Sequence, residues 1–346
     1  MRLILLLLIL FSSISETHSF TITAEPPDKL SKLTFGTTGW SIYIDGDIDK
    51  ASAIKLSREL PKYYKTGVFI YFNSSGGDPI AAMEIGRIIR KFSGAHVNIG
   101  KKNFLTNQID SGICLSACTL AYLGGTYRFI DKNSIYGVHL TKLKNDIASK
   151  KYDFALGQIL NSEIAIYLNE MGINQNLMQY IVSTSNIKII PFDILKELQV
   201  INEGNFKSIW NINQVDNMFY LAGEQESTRG LGKFIFTCID KKLQLTTGYK
   251  YGETFKEEGN EFSTHSLYID KQIYYLRDPN ESDVENLMLF NSFHDFDKNL
   301  AKIMATSNSI TYQMQKYKES ILFVGFEINI SDKDRPKVLN FIENCK

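Results

Sequence analysis

The sequence has little of what marks several common classes of protein. Its 346 residues include only five histidines and four cysteines, and these do not form the histidine-rich or cysteine-rich clusters of metal-binding motifs. Basic and acidic residues balance at 38 each, without a basic block, which argues against nucleic acid or an anionic surface as the main partner. We therefore expect no metal, no cofactor and no nucleic-acid partner.

Long hydrophobic runs are also scarce, apart from one near the N-terminus. Residues 3–11 (LILLLLILF) follow a single arginine and are too short for the roughly 20 residues that span a bilayer. Small residues suited to signal peptidase follow at 13–15 and 17–19. We predict a signal peptide over residues 1–19 and a periplasmic or secreted protein, without further membrane attachment. An uncleaved anchor is the alternative.

The remaining chain changes character near residue 205. Between Trp40 and Val200, strand-like and helix-like segments alternate, which predicts a parallel sheet layered by helices. After residue 205, short alternating runs with glycine-containing turns predict a smaller antiparallel unit. We expect an α/β domain over residues 38–203 and a β-rich, α+β domain of unknown role over residues 205–346.

Two further segments are interpreted from their local pattern of polar and apolar residues. The polar stretch Lys101 to Ser111 is interpreted as an inserted loop, and residues 299–314 are interpreted as a helix of the second domain.

Three motifs of the first domain carry the chemistry. The apolar run VFIYF (residues 68–72) breaks into a turn with Gly76 and Gly77, and ligands often bind where such a strand meets a helix. In ICLSACTLAYLGG we predict a buried helix over residues 114–125, with Ser116 near its start, and His139 ends the strand SIYGVH. A serine nucleophile, a histidine base and exposed backbone N–H groups are the parts of a serine hydrolase. Taken singly, the same residues are explained by packing in an apolar helix, a structural histidine and a tight turn.

The four cysteines fit an exported protein. We predict a disulfide between Cys238 and Cys345, which would join the chain end to its domain in an oxidising compartment. Cys114 and Cys118 are four residues apart, one turn of helix if the segment is helical. They are either bridged or two small buried thiols beside the serine, and we favour the thiols.

The order of the motifs resembles the Clp protease proteolytic subunit within the crotonase-like superfamily. The resemblance covers residues 38–203, and the C-x-S-A-C sequence around Ser116 is more similar to a periplasmic Clp-like offshoot. The matching segments are YIDGDI, YFNSSGGDPIAAMEIGRII, GICLSACTLAYLGG, YRFIDKNSIYGVH and GINQNLMQYIVSTSNIKIIPFDILKELQVINE.

The resemblance implies a function and a role for each matching residue. Ser116 would be the nucleophile, His139 the general base, and the N–H groups of Gly76 or Gly77 and of Ala117 the oxyanion hole. It also implies a peptide or protein substrate and assembly into a homo-oligomer.

The third catalytic residue is where the chain departs from the family. The family has an aspartate in the loop that here reads STSNIKII, where Asn186 is available and no carboxylate occurs before Asp193. Either Asn186 orients His139, or a carboxylate comes from elsewhere, or the site is weak. We predict an exported Clp-like serine hydrolase, a peptidase. The alternatives are a catalytically inactive Clp-like binding or scaffold protein, and ester or thioester chemistry that does not need Ser116.

Overall fold

The chain folds into two compact units that divide between Glu203 and Gly204. The computed structural model describes residues 19–27, 39–63, 67–92, 94–140, 150–228, 230–250, 262–285, 288–318, 320 and 323–345, with the side chains of 150–154 left aside. The predicted signal peptide lies outside these residues except for Ser19. No helix in the described part of the chain is both long enough and apolar enough to cross a membrane.

The first unit alternates strands and helices. Its elements are β1 (Thr21–Glu25), β2 (Trp40–Asp45), α1 (Lys50–Glu59) with a 3-10 turn (Leu60–Tyr63), β3 (Val68–Asn73), α2 (Pro79–Arg90), β4 (His96–Asn103), β5 (Gln108–Ser111), β6 (Ile113–Leu115), α3 (Ala117–Tyr122), β7 (Tyr127–Arg128), β8 (Ile135–Val138), α4 (Lys150–Glu170), α5 (Leu177–Val182), β9 (Lys188–Ile189) and α6 (Phe192–Glu197).

The main sheet of this unit is parallel at its centre. Its strand order is β1-β2-β3-β4-β5, with β7 also paired to β4. Strands β2, β3, β4 and β7 run parallel, and β1 and β5 pair antiparallel. Ile42, Ile70 and Phe72 are fully buried in the core beneath the helices. A parallel sheet covered by helices is what the alternating pattern predicts.

A smaller sheet, β6-β8-β9, is joined to the main sheet through Ser74, just after β3. The Ser74 N–H donates to the Ile113 carbonyl at 2.8 Å, and the Leu115 N–H donates to the Ser74 carbonyl at 3.0 Å. These bonds hold the chain entering the glycine turn beside the strand that leads into Ser116.

Helix α3 is held against its neighbours by close backbone packing. A Cβ atom at Gly124, just after α3, would lie 2.2 Å from the Gly86 carbonyl oxygen of α2, so the two backbones touch. The Tyr167 hydroxyl of α4 donates to the Leu120 carbonyl at 2.7 Å. Arg90 donates to the Gly124 carbonyl at 2.9 Å, where the last carbonyls of a helix need partners.

A second arginine closes the unit at its C-terminal end. Arg128 is buried and donates to the carbonyls of Gly125, Gln199 and Val200 at 2.8 to 2.9 Å. Burial lowers the pKa of Arg128 to about 10, so the guanidinium is still charged at neutral pH. The three carbonyl dipoles supply the partners that a buried charge requires.

The second unit is built mostly from antiparallel strands. Its elements are β10 (Ile209–Val215), β11 (Met218–Ser227), β12 (Gly230–Ile239), β13 (Lys242–Lys250), β14 (Thr264–Ile269), β15 (Gln272–Tyr275), β16 (Glu281–Glu285), β17 (Met288–Phe293), α7 (Lys298–Thr306), β18 (Ser309–Gln315), β19 (Val324–Asn329) and α8 (Arg335–Asn344).

Two sheets of the second unit share one core. The first has the order β10-β11-β12-β13-β17-β16, and the second has the order β15-β14-β18-β19. Phe234 of the first sheet packs on Phe326 of the second, with ring centroids 5.0 Å apart. The Cys238–Cys345 disulfide ties the end of α8 to β12, as predicted. The two units together confirm the predicted fold class, an α/β unit followed by a β-rich one.

Two segment predictions are wrong. Residues 101–111 form the end of β4 and all of β5, in which Lys102 pairs with Ile109 around a tight turn, instead of a loop. Residues 309–315 form β18 instead of continuing a helix. Ile310, Tyr312 and Met314 are buried at alternate positions, which is the period of a strand and not of a helix.

The contact between α2 and α3 leads to a test of stability. We expect Gly124→Ala to lower the free energy of unfolding by about 1–3 kcal/mol, because the new methyl group overlaps the Gly86 backbone. Gly157→Ala is the matched control, because its Cβ meets nothing within 4 Å and alanine favours the helix by about 0.5–1 kcal/mol. Denaturant unfolding measures both variants. If Gly124→Ala were as stable as the wild type, this would contradict the close approach of the two helices.

Candidate active site

Ser116 lies at a sharp turn between a strand and a helix. Strand β6 ends at Leu115, helix α3 begins at Ala117, and Ser116 between them has φ 55° and ψ −127°. A residue with a side chain rarely adopts this conformation, which costs about 1–3 kcal/mol. The segment before Ser116 is therefore a strand, and the prediction of helix from Cys114 onward is wrong. A serine on a strained strand-to-helix turn has its hydroxyl exposed for reaction.

Hydrogen bonds on both sides hold this turn. The Ser116 N–H donates to the Gly137 carbonyl at 2.8 Å, and the Ser116 carbonyl accepts from the Thr119 N–H at 3.1 Å. Gly76 lies directly against the turn, since a Cβ there would be 2.7 Å from the Ser116 Cβ. The glycine turn, the serine and strand β8 are thus in direct contact.

Cys114 and Cys118 form a disulfide across the turn, so the preferred interpretation as free thiols is wrong. Cys114 belongs to β6 and Cys118 to α3, and both side chains are fully buried. A disulfide that closes so short a ring removes about 2 kcal/mol of chain entropy from the unfolded state. This contribution is of the same order as the strain at Ser116.

His139 follows β8 and faces the serine. Its Nε2 lies 2.7 Å from the Ser116 Oγ, and its Nδ1 lies 2.8 Å from the Leu140 carbonyl oxygen. Because a carbonyl can only accept, Nδ1 carries the proton, and the Nε2 of a neutral ring is then an acceptor. The Ser116 hydroxyl therefore donates to Nε2, the arrangement that a general base requires.

Asn186 does not orient the histidine in this structure. Its side chain is exposed, and its backbone N–H donates to the Thr184 Oγ1 at 3.1 Å. The His139 Nδ1 contacts the Leu140 carbonyl, at the position for which Asn186 is one of the candidates. No sequence pattern could identify this acceptor, because every residue has a carbonyl group.

Two backbone N–H groups beside Ser116 have no acceptor among the described residues, those of Gly77 and Ala117. The N–H of Gly76, in contrast, donates to the Ser74 Oγ at 3.1 Å. Gly77 and Ala117 also line the same small cavity as Ser116 and His139. Of the two glycines predicted for an oxyanion hole, the geometry therefore favours Gly77, with Gly76 packing against the serine.

The cavity beside the serine is narrow. Its volume is about 20 Å³, and its wall is largely apolar, with Leu120, Val138 and Ile164 among the lining residues. A volume of this size holds a water molecule and no larger group. A side chain of a substrate would require these walls to separate.

The described residues contain no group of three or more histidine, cysteine, aspartate or glutamate side chains that could hold a metal ion. The described side chains that line the cavity with Ser116 and His139 are those of Pro79, Ala117, Thr119, Leu120, Val138, Ile164 and Ile181.

The known proteins that this chain is similar to are found among solved structures. No protein-family model matches the chain, and no curated protein matches it. A point mutant of ClpP1 from Listeria monocytogenes is 18% identical with a TM-score of 0.37, over 50% of this chain and 94% of that chain. ClpP1 from the same organism is 19% identical with a TM-score of 0.35, over 47% and 88% of the two chains.

A third solved structure, a point mutant of the 1510-N membrane-bound stomatin-specific protease, is 15% identical with a TM-score of 0.35, over 47% of this chain and 76% of that chain. Likenesses at this level assign neither a family nor an activity.

The position of Asn186 leads to a test. We expect Asn186→Ala to change the rate at which Ser116 reacts with a fluorophosphonate by less than about twofold, because the orienting bond of His139 goes to a backbone carbonyl. The rate is measured by gel fluorescence on protein of verified fold. A loss of tenfold or more would assign the orienting role to Asn186 after all.

Proposed function

We propose that the chain is an exported serine hydrolase that cleaves peptide bonds, with Ser116 as nucleophile and His139 as general base. The observation that supports this most directly is the 2.7 Å contact between Ser116 Oγ and His139 Nε2, made by a serine on a strained turn. A serine that only fills space in a helix needs neither the positive φ nor the histidine. The catalytic machinery would belong to residues 38–203.

The reaction follows from these contacts. His139 Nε2 takes the hydroxyl proton as Ser116 Oγ attacks the carbonyl carbon, and the N–H groups of Gly77 and Ala117 donate to the resulting oxyanion. The imidazolium then gives the proton to the leaving amine, which leaves an acyl group on Ser116. Water, activated by the same histidine, releases the acid and restores the serine.

The neutral partner of His139 affects the expected rate. The Leu140 carbonyl fixes the ring tautomer, which is one of the two roles of an aspartate in a catalytic triad. It stabilises the imidazolium less than a carboxylate would, since it carries only a partial charge. We therefore propose a functional hydrolase that is slower than one with a carboxylate beside the histidine.

The choice of peptide bonds rests on the likeness of the motifs to Clp protease subunits. Assembly into a homo-oligomer is a further proposal on the same basis. Export is supported by two disulfides, which are typical of a non-reducing, extracellular-type environment. A binding or scaffold protein without turnover would have no need of the Ser116–His139 contact.

Probe labelling tests the proposal. We expect a fluorophosphonate to label the wild-type protein and to fail with Ser116→Ala and with His139→Ala, because the first lacks the nucleophile and the second lacks the base. Ser183→Ala is the matched control, an exposed serine near the site whose hydroxyl donates to the Tyr180 carbonyl. Folded wild-type protein that does not label would contradict a hydrolase.

Peptide cleavage separates the proposed substrate class from others. We expect new termini in a peptide library, detected by mass spectrometry, and none with Ser116→Ala. Turnover of esters or thioesters that survives Ser116→Ala would instead indicate chemistry without a covalent intermediate on the serine.

A further inference from the structure

The disulfide that crosses Ser116 joins the elements on both sides of the turn. Cys114 lies in β6, where it is opposite Tyr136 of β8 and bridges to Ser74 beside the glycine turn. Cys118 lies in α3, one residue after the Ala117 N–H that the oxyanion would use. The bond therefore connects the supports of the nucleophile, the base and the oxyanion donors.

The distance between the Cα atoms of the two cysteines restricts the backbone conformation between them. Four residues of extended chain separate their ends by about 13 Å, whereas the Cα atoms of Cys114 and Cys118 are 5.2 Å apart. The segment thus cannot continue as a strand through Ser116. A helix would satisfy the distance, at about 6 Å for four residues, but the pairing of Ile113, Cys114 and Leu115 with β8 excludes it. A sharp reversal at Ser116 satisfies both constraints.

Burial makes this a permanent constraint. Neither cysteine side chain is exposed, so a reductant in solution does not reach the bond in the folded protein. The bond has to form while the chain folds. The two thiols then lose two protons and two electrons to a disulfide donor, which is reduced to two thiols.

We propose that the Cys114–Cys118 disulfide is the positioning element of the active-site turn, so that Ser116 meets His139 in reacting geometry only in the oxidised chain. The serine would then be unreactive in a reducing compartment and become competent after oxidative folding. The inference rests on the proposed hydrolase function where reactivity is the readout, and on geometry alone where it is not.

The test compares two variants of the full chain. Cys114→Ala/Cys118→Ala removes the bond across the turn, and Cys238→Ala/Cys345→Ala is the matched control that removes the other disulfide. We expect the first to lower the rate of fluorophosphonate labelling by about 10- to 100-fold at unchanged circular dichroism, since small displacements of a reacting group cost this much. The control should label within about twofold of the wild type. Equal labelling by both variants would overturn the proposal.

A geometric readout distinguishes this proposal from the hydrolase proposal. In protein with ¹⁵N-labelled histidine, the Nε2 resonance of His139, assigned with His139→Gln, should differ between wild type and Ser116→Ala because the serine hydroxyl is bonded to it. The Cys114→Ala/Cys118→Ala spectrum should match that of Ser116→Ala. A wild type that never labels but shows this change supports the positioning role while the hydrolase fails. A resonance unaffected by loss of the disulfide overturns the positioning role.

A measurement on the wild-type sequence applies if the variant does not fold. The chain is unfolded and reduced, then refolded from denaturant in the presence of glutathione disulfide, with excess dithiothreitol in a parallel sample, while labelling and disulfide content are followed over time by peptide mapping. We expect labelling to rise with closure of Cys114–Cys118 and not with closure of Cys238–Cys345. Full labelling before Cys114–Cys118 closes would contradict the proposal.

Discussion

Ser116 has φ 55° and ψ −127°, a conformation that a residue with a side chain does not adopt without support from its surroundings. Much of the first unit contributes to this support. The strand before Ser116 is paired to β8 and to Ser74, and the helix after it is fixed by contact with α2 and by the hydroxyl of Tyr167. The disulfide between these two elements offsets a strain of about 1–3 kcal/mol with a contribution of about 2 kcal/mol. The result is a hydroxyl that projects from a rigid turn.

Backbone groups occupy several of the functional positions of the site. The ring of His139 is oriented by the Leu140 carbonyl, and the N–H groups of Gly77 and Ala117 near the serine have no acceptor among the described residues. Backbone groups are as rigid as the elements that contain them, which suits a site whose donors must be in place before reaction. Among the described residues, the hydrogen-bond partner of the His139 Nδ1 is a carbonyl and not a carboxylate, and a carbonyl stabilises the protonated ring less strongly than a full negative charge.

The second unit is stabilised by a different set of interactions. Its two antiparallel sheets bury Trp210, Phe234 and Phe326 in one core, and a disulfide holds its last helix to β12. Each unit thus contains one disulfide, which is fully buried in the first unit and partly buried at Cys238 in the second. Both links are typical of a chain that matures where thiols are oxidised.

Residue types and their periodicity already determined many of the secondary-structure elements and one of the disulfides. The strand of residues 68–72, the helix that Pro79 begins, the change to antiparallel strands after residue 205, and the Cys238–Cys345 pair all follow from the local pattern. The proximity of Ser116, His139 and the glycine turn was also foreseen, through motif order.

Tertiary structure decided the rest, because those features depend on contacts between segments distant in sequence. Whether Cys114 is in a helix or a strand depends on its pairing with β8, which its own apolar neighbours cannot indicate. The choice of Gly77 over Gly76 depends on a hydrogen bond to Ser74, and the partner of His139 is a carbonyl that any residue would provide. Local sequence specifies which elements form, and packing specifies which backbone atoms remain free to act.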